Sequence, residues 1–335
     1  MKTTRRALVL LLSVSLSTAS SSADDEMTVA FWNVENLFDT VDDPKVEKDE
    51  EFTPGQPKKW TKERLQIKLR NLARVISDMH GGKGPSILGL SEVENRHVVE
   101  LLVRKLTPLK RKYGIVHQNS PSFRGIDCAL IYDTSEFRLE NSRFIRIEGE
   151  TTRDIVEATL SRNGHSLTVF VNHWPSRRSP DPARVKVAGI LRKRIDELLK
   201  KDAAADFVVI GDLNDTPVNK SVGSTLRTWG DPDKLHPGVL FNSMWDHFKS
   251  GKGTYVYQNK WNLLDHVILA PGMLDENGFR WVRGSTKAIQ RDYQMFVPNS
   301  TRFIPSPSRS YTRDSFHATG FSDHLPVACR VRLRK

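Results

Sequence analysis

Seven short stretches of the sequence carry side chains able to hold a metal ion or move a proton, and they follow apolar runs or turns. They are Phe31-Trp32-Asn33-Val34-Glu35-Asn36, Leu90-Ser91-Glu92-Val93-Glu94-Asn95, Arg124-Gly125-Ile126-Asp127, Val171-Asn172-His173-Trp174-Pro175, Ile210-Gly211-Asp212-Leu213-Asn214-Asp215, Leu264-Asp265-His266 and Phe321-Ser322-Asp323-His324-Leu325-Pro326. Carboxylates and amides supply the oxygen ligands that hard divalent cations take. Imidazoles exchange protons near neutral pH. Singly, each stretch has an ordinary reading. Gly-Asp-x-Asn after a strand is a turn whose Asp and Asn bond their own backbone, Asn33 ends a strand, Glu92 caps the next helix, and an Asp-His pair braces a sheet. What joins them is their shared position at the ends of expected strands.

The elements that must position them alternate between two periods. Met27–Val34 reads as an apolar strand, Lys45–Lys59 as a charged, Pro-containing loop. Thr61 can cap a helix whose Leu65, Leu69, Leu72 and Ile76 recur at three or four residues. Ile87–Leu90 and Tyr113–Gln118 read as strands flanking a helix at His97–Lys105. Four strands then follow at Cys128–Tyr132, Phe137–Ile147, Ile155–Leu160 and Ser166–Val171, the last two joined by a turn at Asn163-Gly164. A helix with Val187, Leu191, Ile195 and Leu198 on one face leads into Phe207–Ile210. Val256 to Leu269 and Leu325–Leu333 close the pattern. Between them, 284–319 is rich in Ser, Pro and Arg, aperiodic, and expected to be a long loop. Two strand-rich halves with helices outside predict sheets packed face to face under helices, in one domain over 24–335.

Composition narrows the partners. The chain has 335 residues with 38% hydrophobic and 27% charged side chains, which excludes disorder and small disulfide scaffolds. The formal charge of +11 favours an anionic partner. Lys2, Arg5 and Arg6 precede an apolar run from Ala7 to Leu16 and a small-residue stretch ending at Ala23, so residues 1–23 read as a secretory signal peptide. Its removal takes three basic and no acidic residues, leaving a net +8. The expectation is a secreted or periplasmic monomer with no stable membrane anchor. Cys128 and Cys329 lie in strand-like stretches; secretion would permit a disulfide, and burial as two free thiols is the alternative.

The order Asn, Glu, Asp, Asn-His, Gly-Asp-x-Asn, Asp and Ser-Asp-His resembles that of the endonuclease/exonuclease/phosphatase superfamily of metal-dependent phosphodiesterases, from Val29 to Val331. The resemblance implies an α/β fold, a four-layered sandwich of two packed mixed β-sheets flanked by helices. It implies Glu92, Asn33 and Asp323 as residues for a cation, Mg²⁺ or else Mn²⁺ or Ca²⁺, with Glu92 the direct ligand, and leaves Glu35 a less defined acidic part. It gives Asp212 the attacking water and Asn214 the scissile phosphate. Two carboxylate-backed imidazoles are implied, His173 with Asp127 and His324 with Asp265. Asn172, Arg177 and Arg178 follow as phosphate or substrate contacts. Ser91 stands where many relatives have Gln, and His266 where an aromatic is common.

Together these readings give the expectation of a secreted, metal-dependent nuclease that hydrolyses DNA by in-line water attack. Lys287, Arg291, Arg302, Arg309 and Arg313 in the late loop fit a phosphate backbone. The alternatives are a phospholipid phosphodiesterase of sphingomyelinase type, using Tyr293, Met295, Phe296, Phe303 and Ile304 to meet lipid, a phosphomonoesterase, or a silent anion-binding module.

Overall fold

The computed structural model describes residues 26–334; the signal-peptide expectation for residues 1–23 lies outside them. The polypeptide builds two mixed seven-stranded sheets. In the first, β1 (Glu26–Leu37) lies parallel to β2 (Ile87–Val93), β4 (Asp127–Asp133) is antiparallel to β2, and β3 (Tyr113–His117) forms the edge beyond it. In the second, β5 (Arg138–Ile145), β6 (Ile155–Arg162) and β7 (His165–His173) meander into β8 (Phe207–Asp212), which runs parallel to β7. Antiparallel β9 (Asp265–Leu269) then continues this sheet, and β10 (Val327–Leu333) returns to the first sheet beside β1.

Helices complete a four-layered sandwich. α1 (Lys62–Ser77) and α2 (Arg96–Lys105) cover the outer face of the first sheet, where Leu65, Leu69, Leu72, Ile76, Val98 and Leu102 join Trp32, Leu88 and Ile131 in one apolar cluster. α3 (Asp181–Lys201) covers the second sheet through Val187, Leu191 and Ile195. Thr61 caps α1 by accepting from the Arg64 amide, and Asn95 rather than Glu92 caps α2. At the β6–β7 hairpin, Asn163 and Gly164 both have positive φ (51° and 84°), the backbone that a two-residue turn between twisted strands demands.

Alternation along the strands sorts side chains between the layers. Phe31, Val171 and Ile210 meet around Gly89, where a Cβ would lie 2.8 Å from Ile210 and 3.0 Å from Val171. Two residues further along, the same faces present Asn33, His173 and Asp212 at the end of the sandwich. Close packing below thus leads directly into polar chemistry above.

Two expectations need adjustment. The stretch Val256 to Leu269 is not one strand but a hairpin, Tyr255–Tyr257 with Lys260–Asn262, followed by β9. Within 284–319, two-residue ladders pair Met295–Phe296 with Ser306–Pro307 and Tyr311–Thr312 with Ser315–Phe316. Cys128 on β4 and Cys329 on β10 are free and buried. β1 and β2 separate their strands, a distance of about 14 Å at ~4.8 Å per strand, too far for a disulfide.

Buried Lys68 anchors the late loop to α1. Its ammonium donates to Ser310 Oγ at 2.6 Å and to the Phe321 carbonyl at 2.8 Å, and lies 3.8 Å from Glu35 Oε2. Removing one partner from a buried charged network leaves the others uncompensated. Lys68→Ala is therefore expected to destabilise the protein by about 3–5 kcal/mol in denaturant titration; a loss below about 1 kcal/mol would show that the loop is held by other contacts.

Candidate active site

Strain concentrates where the polar strand ends meet. β1 shifts register between Asn33 and Leu37, and β2 between Ser91 and Val93. Bulges of this kind re-aim side chains. Here Glu35, Asn36, Glu92 and Asn214 all take left-handed φ values of 51° to 61°. Such conformations cost about 1–3 kcal/mol each in non-glycine residues and persist where surrounding contacts over-determine them. Those contacts are present: the Asn36 amide donates to Glu92 Oε2 at 3.0 Å, and the Asn214 amide to Asp212 Oδ1 at 2.9 Å.

Asp212 is the meeting point. Its Oδ2 accepts from Asn33 Nδ2 at 3.1 Å and lies 3.6 Å from His173 Nε2 and 3.8 Å from His324 Nε2. The register β7–β8–β9 aligns His173, Asp212 and Asp265 across three strands. His324 Nδ1 contacts Asp265 Oδ2 at 2.8 Å, and the Tyr255 ring stacks on the imidazole with centroids 4.7 Å apart.

Electrostatics give these groups different states. Burial raises Asp212 to about 7, against the opposing His324 charge and with Asp265 adding to the rise. Burial alone would lower His324, but the Asp265 and Asp212 charges outweigh it and hold the imidazole well above its ordinary value. Burial lowers His173 far below that value, assisted by Arg153, Arg124 and His324, and its Nδ1 has no partner. The two imidazoles are thus pushed in opposite directions, His324 toward its protonated form and His173 toward the neutral one. Glu92 is pushed up by burial, yet Arg124, His324 and Arg153 bring its carboxyl below the usual range.

Several expected residues stand elsewhere. Asp127 does not back His173: it lies 3.2 Å from His117 Nε2 and accepts the Ser120 amide at 3.0 Å, because it starts a strand of the opposite sheet beside β3. Asn172 is not a phosphate contact. Alternation turns it away from His173, and it is fully buried, with Oδ1 accepting from Trp174 Nε1 at 3.1 Å and Nδ2 donating to the Phe170 and Ile210 carbonyls. Arg177 braces the site, donating to the Asn214 carbonyl at 3.0 Å and to Asn262 Oδ1 at 2.8 Å, while Arg178 is exposed on the same turn. The Asn214 side chain donates through Nδ2 to the Trp174 carbonyl at 3.1 Å. Asp323 is half-buried, 3.9 Å from Arg309 and electrostatically coupled to Glu35, outside the Asp212–Asp265–His324 cluster. His266 is structural: it contacts Asn242 at 3.1 Å and the Asp215 carbonyl at 2.9 Å.

Three contributors were not assigned from sequence. Arg153 donates to the Trp174 carbonyl at 2.7 Å, and its buried Nε has no partner; its charge acts on Glu92, Asp212 and His173. Arg124 lies 3.3 Å from Glu92 Oε1 and also donates to Asn36. Tyr255 supplies the stacked ring. Arg124 stands in a noted stretch, but nothing distinguished Arg153 among 51 basic residues.

The donor set fits a hard divalent cation. Asp212, Asp265 and His324 bring ligand atoms within 4.8 Å of one another, and Asp265 Oδ1 is buried without a hydrogen-bond partner. Nearby positive charge holds the Glu92 carboxyl below its usual range, while Asn33 turns Nδ2 to Asp212 and its Oδ1 accepts the Glu35 amide at 3.0 Å. These oxygens suit Mg²⁺-type ions, which need only one or two carboxylates.

Residues 28–333 match the Endonuclease/Exonuclease/phosphatase family. The chain is similar to Protein angel of Drosophila melanogaster, 22% identical over 227 residues, covering 62% of this chain and 59% of that protein's length. Its fold is similar to that of D. rerio TDP2 complexed with single strand DNA product (TM-score 0.58, 14% identity, 92% and 100% of the two chains). It is also similar to the Bacteroides thetaiotaomicron mannosyl-6-phosphatase Bt3783 (TM-score 0.56, 15% identity, 92% and 100%).

The imidazolium state of His324 rests on Asp265. In Asp265→Asn, ¹⁵N NMR is expected to show that His324 loses its proton at lower pH than in the unaltered protein. Since the pairing raises the folded-state value, stability from it is present at low pH and fades as pH climbs through that value. Identical His324 titrations in the two proteins would contradict the pairing.

Proposed function

The chain belongs to the endonuclease/exonuclease/phosphatase family, whose members hydrolyse phosphoesters, and from that premise we propose a metal-dependent phosphodiesterase that cleaves DNA. In this reading it works as a secreted or periplasmic monomer without a membrane anchor. The observation that carries the reading is the convergence of Asp212 with His173, His324 and Asn33 beside an ionised Glu92.

Each group has a part in in-line attack. Asp212, raised to about 7, accepts a proton from water as the water oxygen bonds to phosphorus, a task that wants a base poised near neutrality. Asn33 and the Asn214 amide fix its two oxygens. The His324 imidazolium offsets the negative charge that develops on the oxygens around the pentavalent phosphorus and can return a proton to the departing oxygen. Arg153 and Arg124 add positive potential to the same cleft, which favours a phosphate anion. A cation held by Glu92 and Asn33 would polarise a non-bridging phosphate oxygen.

Nucleic acid is the substrate that the net charge and the basic late loop favour, and a relative of the same fold holds a single-strand DNA product. A second reading, phospholipid, draws on one feature. Beside Asp323, Phe296 (58% exposed) and Phe303 (54% exposed) border a cleft of about 760 Å³, with Val297 and Tyr257 also open to solvent. Among the described residues no helix is long and apolar enough to cross a membrane.

One assay panel separates the readings: supercoiled plasmid, single-stranded DNA, RNA, sphingomyelin vesicles and a phosphomonoester, each with Mg²⁺ and with EDTA. Plasmid cleavage is expected to require Mg²⁺, to weaken steeply with salt, and to fall at least ~100-fold in Glu92→Gln. Intact plasmid with released lipid headgroup would overturn the choice of DNA. Cleavage that survives EDTA would overturn the metal-dependent mechanism.

A further inference from the structure

Outside the catalytic cleft, the segment joining β1 to α1 gathers a second set of acids. Asp42, Asp49 and Glu50 each present a carboxylate oxygen, all within 4.8 Å of one another. Asp49 is only 2% exposed; its Oδ2 accepts the Asp43 amide at 2.7 Å, whereas its Oδ1 is sealed from solvent with no hydrogen-bond partner. A buried carboxylate oxygen without a donor is costly unless a positive charge supplies the missing interaction or the group takes up a proton. Nearby lysines serve other groups. Lys48 lies 4.9 Å over the Phe123 ring, and Lys58 pairs with Glu51 at 3.3 Å. Among the described residues, none of the three acids is ion-paired.

We propose that Asp42, Asp49 and Glu50 form a second divalent-cation site, built for Ca²⁺ and separate from the catalytic one. The orphaned Asp49 oxygen is the inner ligand, and the two exposed carboxylates close over the ion from the rim. Several charged oxygens on an irregular loop suit Ca²⁺, which takes six to eight oxygen ligands in flexible geometry, better than Mg²⁺, which demands a near-ideal octahedron and retains waters.

Its position gives the ion something to organise. Val46, in the middle of the segment, packs so tightly over Gly125 that a Cβ there would lie 2.6 Å from Val46 Cγ1. Gly125 adjoins Arg124, which contacts Glu92. At its start the segment is tied to the residue that follows β2: the Asp39 amide donates to Glu94 Oε2 at 2.6 Å. An ion that pins this segment therefore steadies the Arg124 side of the catalytic cleft. The site does not depend on the catalytic reading and is tested apart from it.

The test uses residues 24–335 carrying Glu92→Gln, which removes the carboxylate proposed to hold the catalytic cation directly. Calorimetric titration with Ca²⁺ is expected to show one binding event, with Kd of about 10⁻⁴–10⁻³ M as in extracellular modules. Saturating Ca²⁺ is expected to raise the unfolding midpoint by about 2–6 °C. Adding Asp49→Asn should abolish both effects. Asp42→Asn with Glu50→Gln alters only exposed side chains, so it should abolish them in a chain whose circular dichroism is unchanged. Absence of a Ca²⁺ event in the Glu92→Gln chain, or one that persists in Asp42→Asn/Glu50→Gln, overturns the proposal.

Discussion

Burying a carboxylate between two β-sheets is unfavourable, and the catalytic end of this protein is arranged around making that burial tolerable for Asp212. An amide proton from Asn214, a side-chain amide from Asn33 and the His324 imidazolium surround its two oxygens. Asp265 in turn sustains the imidazolium from the next strand. The result is a carboxylate raised to about 7 rather than fully neutralised. Burial first, and then the charges of Arg153, Arg124 and His324, push His173 toward its neutral form, opposite to His324.

The sandwich makes this possible through two parallel pairs, β1 with β2 and β7 with β8. Each pair delivers two strand ends to one end of the molecule, and the inward faces change from Phe31, Val171 and Ile210 to Asn33, His173 and Asp212 over a single period of two. The apolar layer excludes water beneath the polar one. Left-handed backbone at Glu35, Asn36, Glu92 and Asn214 then departs from strand geometry where the side chains must reach the cleft. The buried Lys68 joins α1 to Ser310 and Phe321, and so carries the late loop to the segment that bears His324.

Much of this was legible because local rules apply. The spacing of Leu65, Leu69, Leu72 and Ile76, the Thr61 cap and the Asn163-Gly164 turn act within a few residues, and the structure has them as read. The Asp265–His324 contact is implied by the family resemblance. Pairings across space were less legible. Asp127 serves His117 because β3 is its neighbour, a fact set by sheet order rather than by sequence distance. Asn172 could have been excluded by alternation alone, since adjacent strand residues face opposite ways. Arg153 carries no local signal, and two-residue ladders such as Met295–Phe296 are too short to leave a period.

The central claim is that Asp212 directs water at phosphorus without a covalent enzyme intermediate. Cleavage of DNA carrying one phosphorothioate of defined configuration, by Mg²⁺-loaded enzyme in H₂¹⁸O, tests it most directly. The account predicts inversion at phosphorus, the mark of a single in-line displacement by water, with turnover lost in Asp212→Asn. Retention of configuration would show two displacements through a covalent enzyme intermediate and would contradict the mechanism.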